Sequence, residues 1–201
     1  MTLAEGRLRA EVAGPRTALL VIDLVNAFEF PCGETLFHRA LPAARAIAVL
    51  QERARSAGVP ILYVNDVFDS EASELHDLVV HYRERSCRSR ALLEFLAVDP
   101  ERDHFVAKPM HSGFFRTDLE ALLRGMRVEH LILTGVAADI CVLATAFDAH
   151  MRGFGLSVPC DCIAAESAEA ERWALQHMAR VLCADVRPSR ALALSRAGTG
   201  A

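Results

Sequence analysis

Cys141, Lys108 and Asp23 are the residues whose types and surroundings could do chemistry together. Cys141 lies in Gly135-Val-Ala-Ala-Asp-Ile-Cys141-Val, just past a short apolar run and at the start of a helical pattern that Asp139 could cap. A thiol in the first turn of a helix faces unpaired backbone N–H groups and the positive end of the helix dipole. Both favour the thiolate, and such surroundings lower a thiol pKa from its usual value near ~8.5. Taken alone, Cys141 between Ile140 and Val142 reads as a small buried thiol. Lys108 follows His-Phe-Val-Ala and precedes Pro109. A lysine there is either solvated or, close to a thiolate, lowers the thiol pKa further. Asp23 closes Thr17-Ala-Leu-Leu-Val-Ile. It reads as a loop carboxylate, or as a general base that takes a thiol proton and returns it to a leaving amine.

The elements that must position these residues are short β-rich runs alternating with longer helical patterns. Strands are expected at Thr17–Ile22, Pro60–Val64, His104–Ala107, Leu131–Thr134 and Gly155–Val158, with a short edge strand near Ala184–Val186. Helices are expected at Pro42–Ala57, Leu119–Met126 (capped by Thr117 or Asp118), Ile140–Met151 and Ser167–Leu182. Phe68–Pro100 reads as helical or as a loop over the site. Strands apolar on both faces and alternating with helices imply an α/β fold: three α/β/α layers around a mostly parallel, roughly six-stranded, doubly wound sheet. Asp23, Asn65–Asp66, Lys108 and Gly135–Cys141 each follow a strand, and open α/β sheets bind ligands at those ends.

The 201 residues suit a single domain, 1–201 with its core at about 17–186, and they include a net charge of −4. No basic footprint marks a nucleic-acid partner. No apolar run approaches the roughly 20 residues that span a bilayer, so no membrane partner is expected. Met1–Pro15 lacks the apolar core of a signal peptide, so a soluble, cytoplasmic protein is expected. The six cysteines then read as thiols. Cys160 and Cys162 would share one face of an extended segment as a buried pair.

Three segments carry a resemblance to a known family. They are Thr17–Asp23 with Asn26 and Phe28, Lys108-Pro-Met-His-Ser-Gly-Phe-Phe, and Leu131-Ile-Leu-Thr-Gly-Val-Ala-Ala-Asp-Ile-Cys141-Val with Thr145-Ala-Phe-Asp-Ala. In this order they resemble the isochorismatase-like cysteine hydrolases, which include nicotinamidases and N-carbamoylsarcosine amidases. The resemblance spans about Thr17 to Val186. It implies a catalytic triad of Asp23, Lys108 and Cys141. It also implies a cis peptide between Val136 and Ala137, which would turn the Ala137 N–H toward the substrate to form an oxyanion hole with the Cys141 N–H. The implied reaction is hydrolysis of a C–N bond in a small amide or ureido compound through a thioester on Cys141. The alternatives are a catalytically silent scaffold and a redox-sensing thiol protein.

The chain also departs from family members. Nicotinamidases carry an Asp-x-His metal pair, absent from Tyr63-Val-Asn-Asp-Val-Phe-Asp-Ser-Glu. His76 and His81 read as surface residues. No metal and no cofactor are therefore expected, and nicotinamide is a less favoured substrate. True isochorismatases lack the cysteine, which argues against vinyl-ether hydrolysis. Phe28, Asn65, Phe68, Phe114 and Phe115 adjoin the triad segments and are candidates for the substrate pocket. Trp173 reads as core packing or as a subunit contact. The resemblance implies a homo-oligomer, a dimer or tetramer.

Overall fold

The computed structural model describes residues 16–66, 74–85 and 87–194. Phe68, one of the pocket candidates, lies outside the described residues. The order of elements is β1 (Thr17–Ile22), α1 (Gly33–Ser56), β2 (Ile61–Asp66), α2 (Leu75–Arg85), α3 (Cys87–Leu93), β3 (His104–Lys108), α4 (Leu119–Gly125) and β4 (His130–Val136). A single wide turn of π-helix, Ala138–Val142, then runs into α5 (Leu143–Met151), followed by β5 (Gly155–Ser157), β6 (Ile163–Ala164), α6 (Ala168–Val181) and a 3₁₀ turn, Ser189–Ala191.

The strands lie in the order β3-β2-β1-β4-β5, with β6 paired to the far end of β4. Every pairing among them is parallel. The two-residue periodicity of a strand divides β1 between two cores. Leu19 and Val21 pack with Ile47 and Leu50 of α1 and with Leu92 of α3. Ala18, Leu20 and Ile22 pack with Leu119 and Leu123 of α4, Ala146 of α5 and Met178 of α6. Both faces of the sheet are thus covered by helices, and its strands need apolar residues at every position. The strand order reverses between β1 and β4, the point at which open sheets of this type form a crevice.

Several elements differ from the sequence expectation, each for a physical reason. The helix expected to begin at Pro42 begins at Gly33, with Pro42 inside it. Proline removes a backbone donor, but Leu36, Phe37 and Ala40 continue the buried stripe of Ala43, Ala44, Ile47 and Leu50 without a break. The apolar burial therefore carries the helix through the proline. β2, β3 and β4 run two, one and two residues further than expected, so Asn65, Asp66, Lys108 and Gly135 are strand residues. The section from 74 to 93 is largely two helices, α2 and α3. β6 was missed because two residues carry no period. The expected edge strand near Ala184–Val186 is a single bridge, Ser157 to Asp185. Ser167 caps α6 by accepting the Ala170 N–H, whereas neither Asp118 nor Asp139 caps a helix through its side chain. Cys160 and Cys162 sit on a turn closed by Cys162 N–H to Pro159 O, with Cys162 buried and Cys160 half-buried, so they do not share a strand face. Trp173 is 52% exposed and stacks on His177, which removes the core reading.

Gly135 takes a left-handed φ of 111° where β4 passes β1, and a Cβ there would sit 2.0 Å from the Ile22 carbonyl oxygen. That contact is with backbone and cannot be relieved by a rotamer. Gly135→Ala is expected to destabilise the fold by at least ~3 kcal/mol in a urea titration. Gly153→Ala, also at positive φ but with open space around it, is expected to cost only ~1–2 kcal/mol. Similar losses at both positions would place the constraint in φ alone.

Candidate active site

The register brings three strand ends together. β1 ends at Ile22, and Asp23 follows with φ 51°, a left-handed conformation that aspartate tolerates better than most residues. Asp23 is buried, its Oδ1 accepts the Asp66 N–H at 2.9 Å, and its Oδ2 lies 2.8 Å from Lys108 Nζ. β2 separates β1 from β3, and Asp66 pairs in register with Lys108. Lys108 is 1% exposed and also donates to the Met110 carbonyl at 3.1 Å. From the other side of β1, β4 leads through the Val136–Ala137 peptide, which is cis, into the π-turn that carries Cys141. The Ile140 and Val142 N–H groups both donate to the Ala137 carbonyl, bracketing Cys141. Lys108 Nζ stands 3.6 Å from Cys141 Sγ.

Two further contacts fix this turn against the lysine loop. Thr145 Oγ1 donates to the Cys141 carbonyl at 2.7 Å and accepts the Gly113 N–H at 3.0 Å. Ser112 bonds to Asp148 of α5. The wall beside Asp23 is the loop from Leu24 to Cys32. Ser89 Oγ bonds to the Asn26 carbonyl and Arg88 to the Phe28 carbonyl, both from α3, while Asn65 Nδ2 bonds to the Val25 carbonyl.

The electrostatics revise one expectation. Burial, followed by the Asp23 carboxylate, pushes the Cys141 thiol well above its ordinary range, against the pull of Lys108. The expectation of a resting thiolate is thus replaced by a protonated thiol. Burial works against the charge on Lys108 too, but the ammonium is held above the usual lysine range, chiefly by the charge and hydrogen bond of Asp23. Burial raises the Asp23 carboxyl despite Lys108, and a carboxylate so raised is a better proton acceptor.

Asp23, Lys108, Ala137 and Cys141 open onto one cavity of about 210 Å³, which Phe28 also lines. The other pocket candidates among the described residues lie elsewhere. Asn65 is fully buried and braces the Val25 carbonyl. Phe114 is buried against Phe154 under the Arg152 guanidinium, and Phe115 is 46% exposed beside Arg116. Sequence reading missed Phe30, Leu36, His111, Ile140 and Glu166, which also line the cavity. Two of these had a local signal: Ile140 precedes Cys141 directly, and His111, whose Nδ1 is 3.8 Å from Cys141 Sγ, falls three residues after Lys108.

The isochorismatase domain family model matches residues 17–189. The chain belongs to the isochorismatase family. An uncharacterized isochorismatase family protein of Bacillus subtilis, YaaI, is 38% identical over 172 residues, covering 84% of this chain and 92% of the relative. The pyrazinamidase/nicotinamidase of Streptococcus mutans is similar in structure with a TM-score of 0.67 at 28% identity, over 85% of this chain and 99% of that one. The N-carbamoylsarcosine amidase of Thermoplasma acidophilum is similar with a TM-score of 0.66 at 27% identity, over 88% and 98%. Among the described residues of this family member, no three His, Cys, Asp or Glu side chains gather as a metal would require. His76 is exposed, and His81, expected at the surface, is half-buried against Tyr82. No helix among the described residues is long and apolar enough to cross a membrane.

A protonated thiol held up by a neighbouring carboxylate has a testable signature. Alkylation of Cys141 is expected to be slower than that of a free thiol at pH 7.5 and to rise only at more alkaline pH. Asp23→Asn removes a charge that raises the thiol and leaves Lys108, which lowers it. The profile should move to lower pH, and the rate at pH 7.5 should rise by at least ~tenfold, the equivalent of one pKa unit. A slower reaction in Asp23→Asn would contradict this account.

Proposed function

We propose that this protein hydrolyses a C–N bond of a small amide or ureido compound, with Cys141 as nucleophile. The observation that carries the proposal is the constellation of buried Asp23 and Lys108 with half-buried Cys141, with 2.8 Å between the carboxylate and the ammonium and 3.6 Å between the ammonium and the sulfur. Membership of a family that includes proteins named as a nicotinamidase and as an N-carbamoylsarcosine amidase supports an amide or a ureide as the substrate class. The cavity is smaller than the ~300–1,000 Å³ of sites for drug-sized ligands, which supports a small molecule.

The steps follow from the positions of the groups. Asp23 accepts the thiol proton as the sulfur bonds to the carbonyl carbon. Charge passes to the carbonyl oxygen, which the Ala137 and Cys141 N–H groups receive; one such donor is typically worth roughly 10²–10³ in rate. Lys108 holds Asp23 in place and stabilises the developing thiolate. The C–N bond breaks as Asp23 returns its proton to nitrogen, so ammonia or an amine leaves and a thioester remains. Water attacks the thioester while giving its proton to Asp23. The carboxylic acid departs, and the proton on Asp23 restores the thiol. A redox-sensing role is less supported, because oxidation favours low-pKa thiolates and burial and Asp23 raise this thiol.

A screen of amides and ureides by ammonia release tests the proposal. Cys141→Ala is expected to lower kcat by at least ~10⁴ on any substrate found. Asp23→Asn is expected to lower it by ~10²–10⁴ even as its thiol becomes more reactive. Turnover that persists in Cys141→Ala would overturn the nucleophile assignment, and turnover lost on addition of a chelator would overturn the metal-free mechanism.

A further inference from the structure

The cavity above Cys141 carries more negative charge than the proposed steps use. Asp23 and Lys108 neutralise one another at 2.8 Å. Asp66 and Glu166 add two more carboxylates to the lining, and the remaining basic side chain there is His111. The charge of Asp66 reaches the sulfur, since it is among the groups that raise the thiol. Glu166 follows β6 and is exposed at the cavity mouth. No hydrogen bond or ion pair engages its side chain among the described residues. The neighbouring arginines are committed elsewhere: Arg39 to the Ala165 carbonyl and Glu171, and Arg88 to the Phe28 carbonyl and Glu34. Phe28 and Phe30, with centroids 6.1 Å apart, also line the cavity, and aromatic faces attract cations.

We infer that Glu166 is a specificity residue that sorts substrates by charge: the part remote from the scissile carbonyl is neutral or cationic, and a carboxylate there is rejected. The inference rests on the hydrolytic reading of the same site. A carboxylate-bearing ureide, such as an N-carbamoyl amino acid, would meet Glu166, and among the described residues no Lys or Arg lines the cavity beyond Lys108, which Asp23 holds; like charges brought together exclude a ligand. An ammonium would meet Glu166 and the two phenylalanine rings. The substrate class is therefore an amide or ureide with an amine or an uncharged polar tail.

Charged thiol reagents test this without requiring turnover. Cys141 is labelled with the cationic 2-aminoethyl and the anionic 2-sulfonatoethyl methanethiosulfonate, and its modification is followed by peptide mass so that exposed Cys32 and Cys183 do not interfere. In the wild type the cationic reagent is expected to react faster relative to free cysteine. Glu166→Gln should reduce that preference by about threefold or more at low ionic strength, and Glu166→Lys should reverse it. The preference should also shrink in high salt, since Glu166 is exposed. Equal rates for the two reagents in the wild type, or a ratio unchanged by both variants, would overturn the inference. In the turnover arm, Glu166→Lys should raise kcat/KM for N-carbamoyl amino acids relative to wild type. If no variant hydrolyses any amide, the hydrolytic reading fails, and the reagent ratio still decides the charge selectivity.

Discussion

Burying the Asp23 carboxylate together with the Lys108 ammonium is the constraint on which the rest of this site depends. Two charges withdrawn from water are costly, and they persist only when held at contact with their remaining hydrogen bonds satisfied. Here the sheet and the loop after it supply one such hydrogen bond to each charge. β2 lies between the strands that end in the two charges, its Asp66 N–H takes one oxygen of Asp23, and the Met110 carbonyl takes another proton of Lys108. Removing either charge would leave the other uncompensated. The parallel register of β1, β2 and β3 is therefore as much a part of the site as the side chains themselves.

The sulfur is brought to this ion pair from the opposite direction. β4 lies on the other side of β1, and the strand order reverses between them. The Cys141 turn is pinned by Thr145, which bonds to its carbonyl and to the lysine loop at once. One consequence is a thiol that feels the carboxylate more than the ammonium and rests protonated. Such a thiol suits a mechanism in which proton transfer to Asp23 accompanies attack, more than one that begins from a standing thiolate. In the proposed reaction the same burial would strengthen Asp23 as a base.

The cavity walls come from elements with no part in the ion pair. The Leu24–Cys32 loop carries left-handed residues at Phe28 and Cys32 and is held from behind by Ser89, Arg88 and Asn65. α3 thus acts through the loop without lining the cavity. Leu36 reaches the cavity only because α1 continues through Pro42 toward its N-terminus.

The sequence by itself determined the layered α/β fold and the convergence of Asp23, Lys108 and Cys141, because strand period, strand ends and three motifs are local signals. It also carried the family likeness across most of the chain. Only the tertiary structure decided what surrounds them. Asn65, Phe114 and Phe115 adjoin the motifs in sequence, yet they face a brace, a buried aromatic contact and the surface, because alternate residues of a strand or loop point in opposite directions. Glu166 and Leu36 carry no local mark and reach the cavity through β6 and a helix that ignores its proline. The protonation of Cys141 depends on burial and on a carboxylate distant in sequence, so a helix-start argument alone gave the opposite sign. Periodicity is written in neighbouring residues, whereas pocket walls and desolvation are sums over contacts that exist only once the chain has folded.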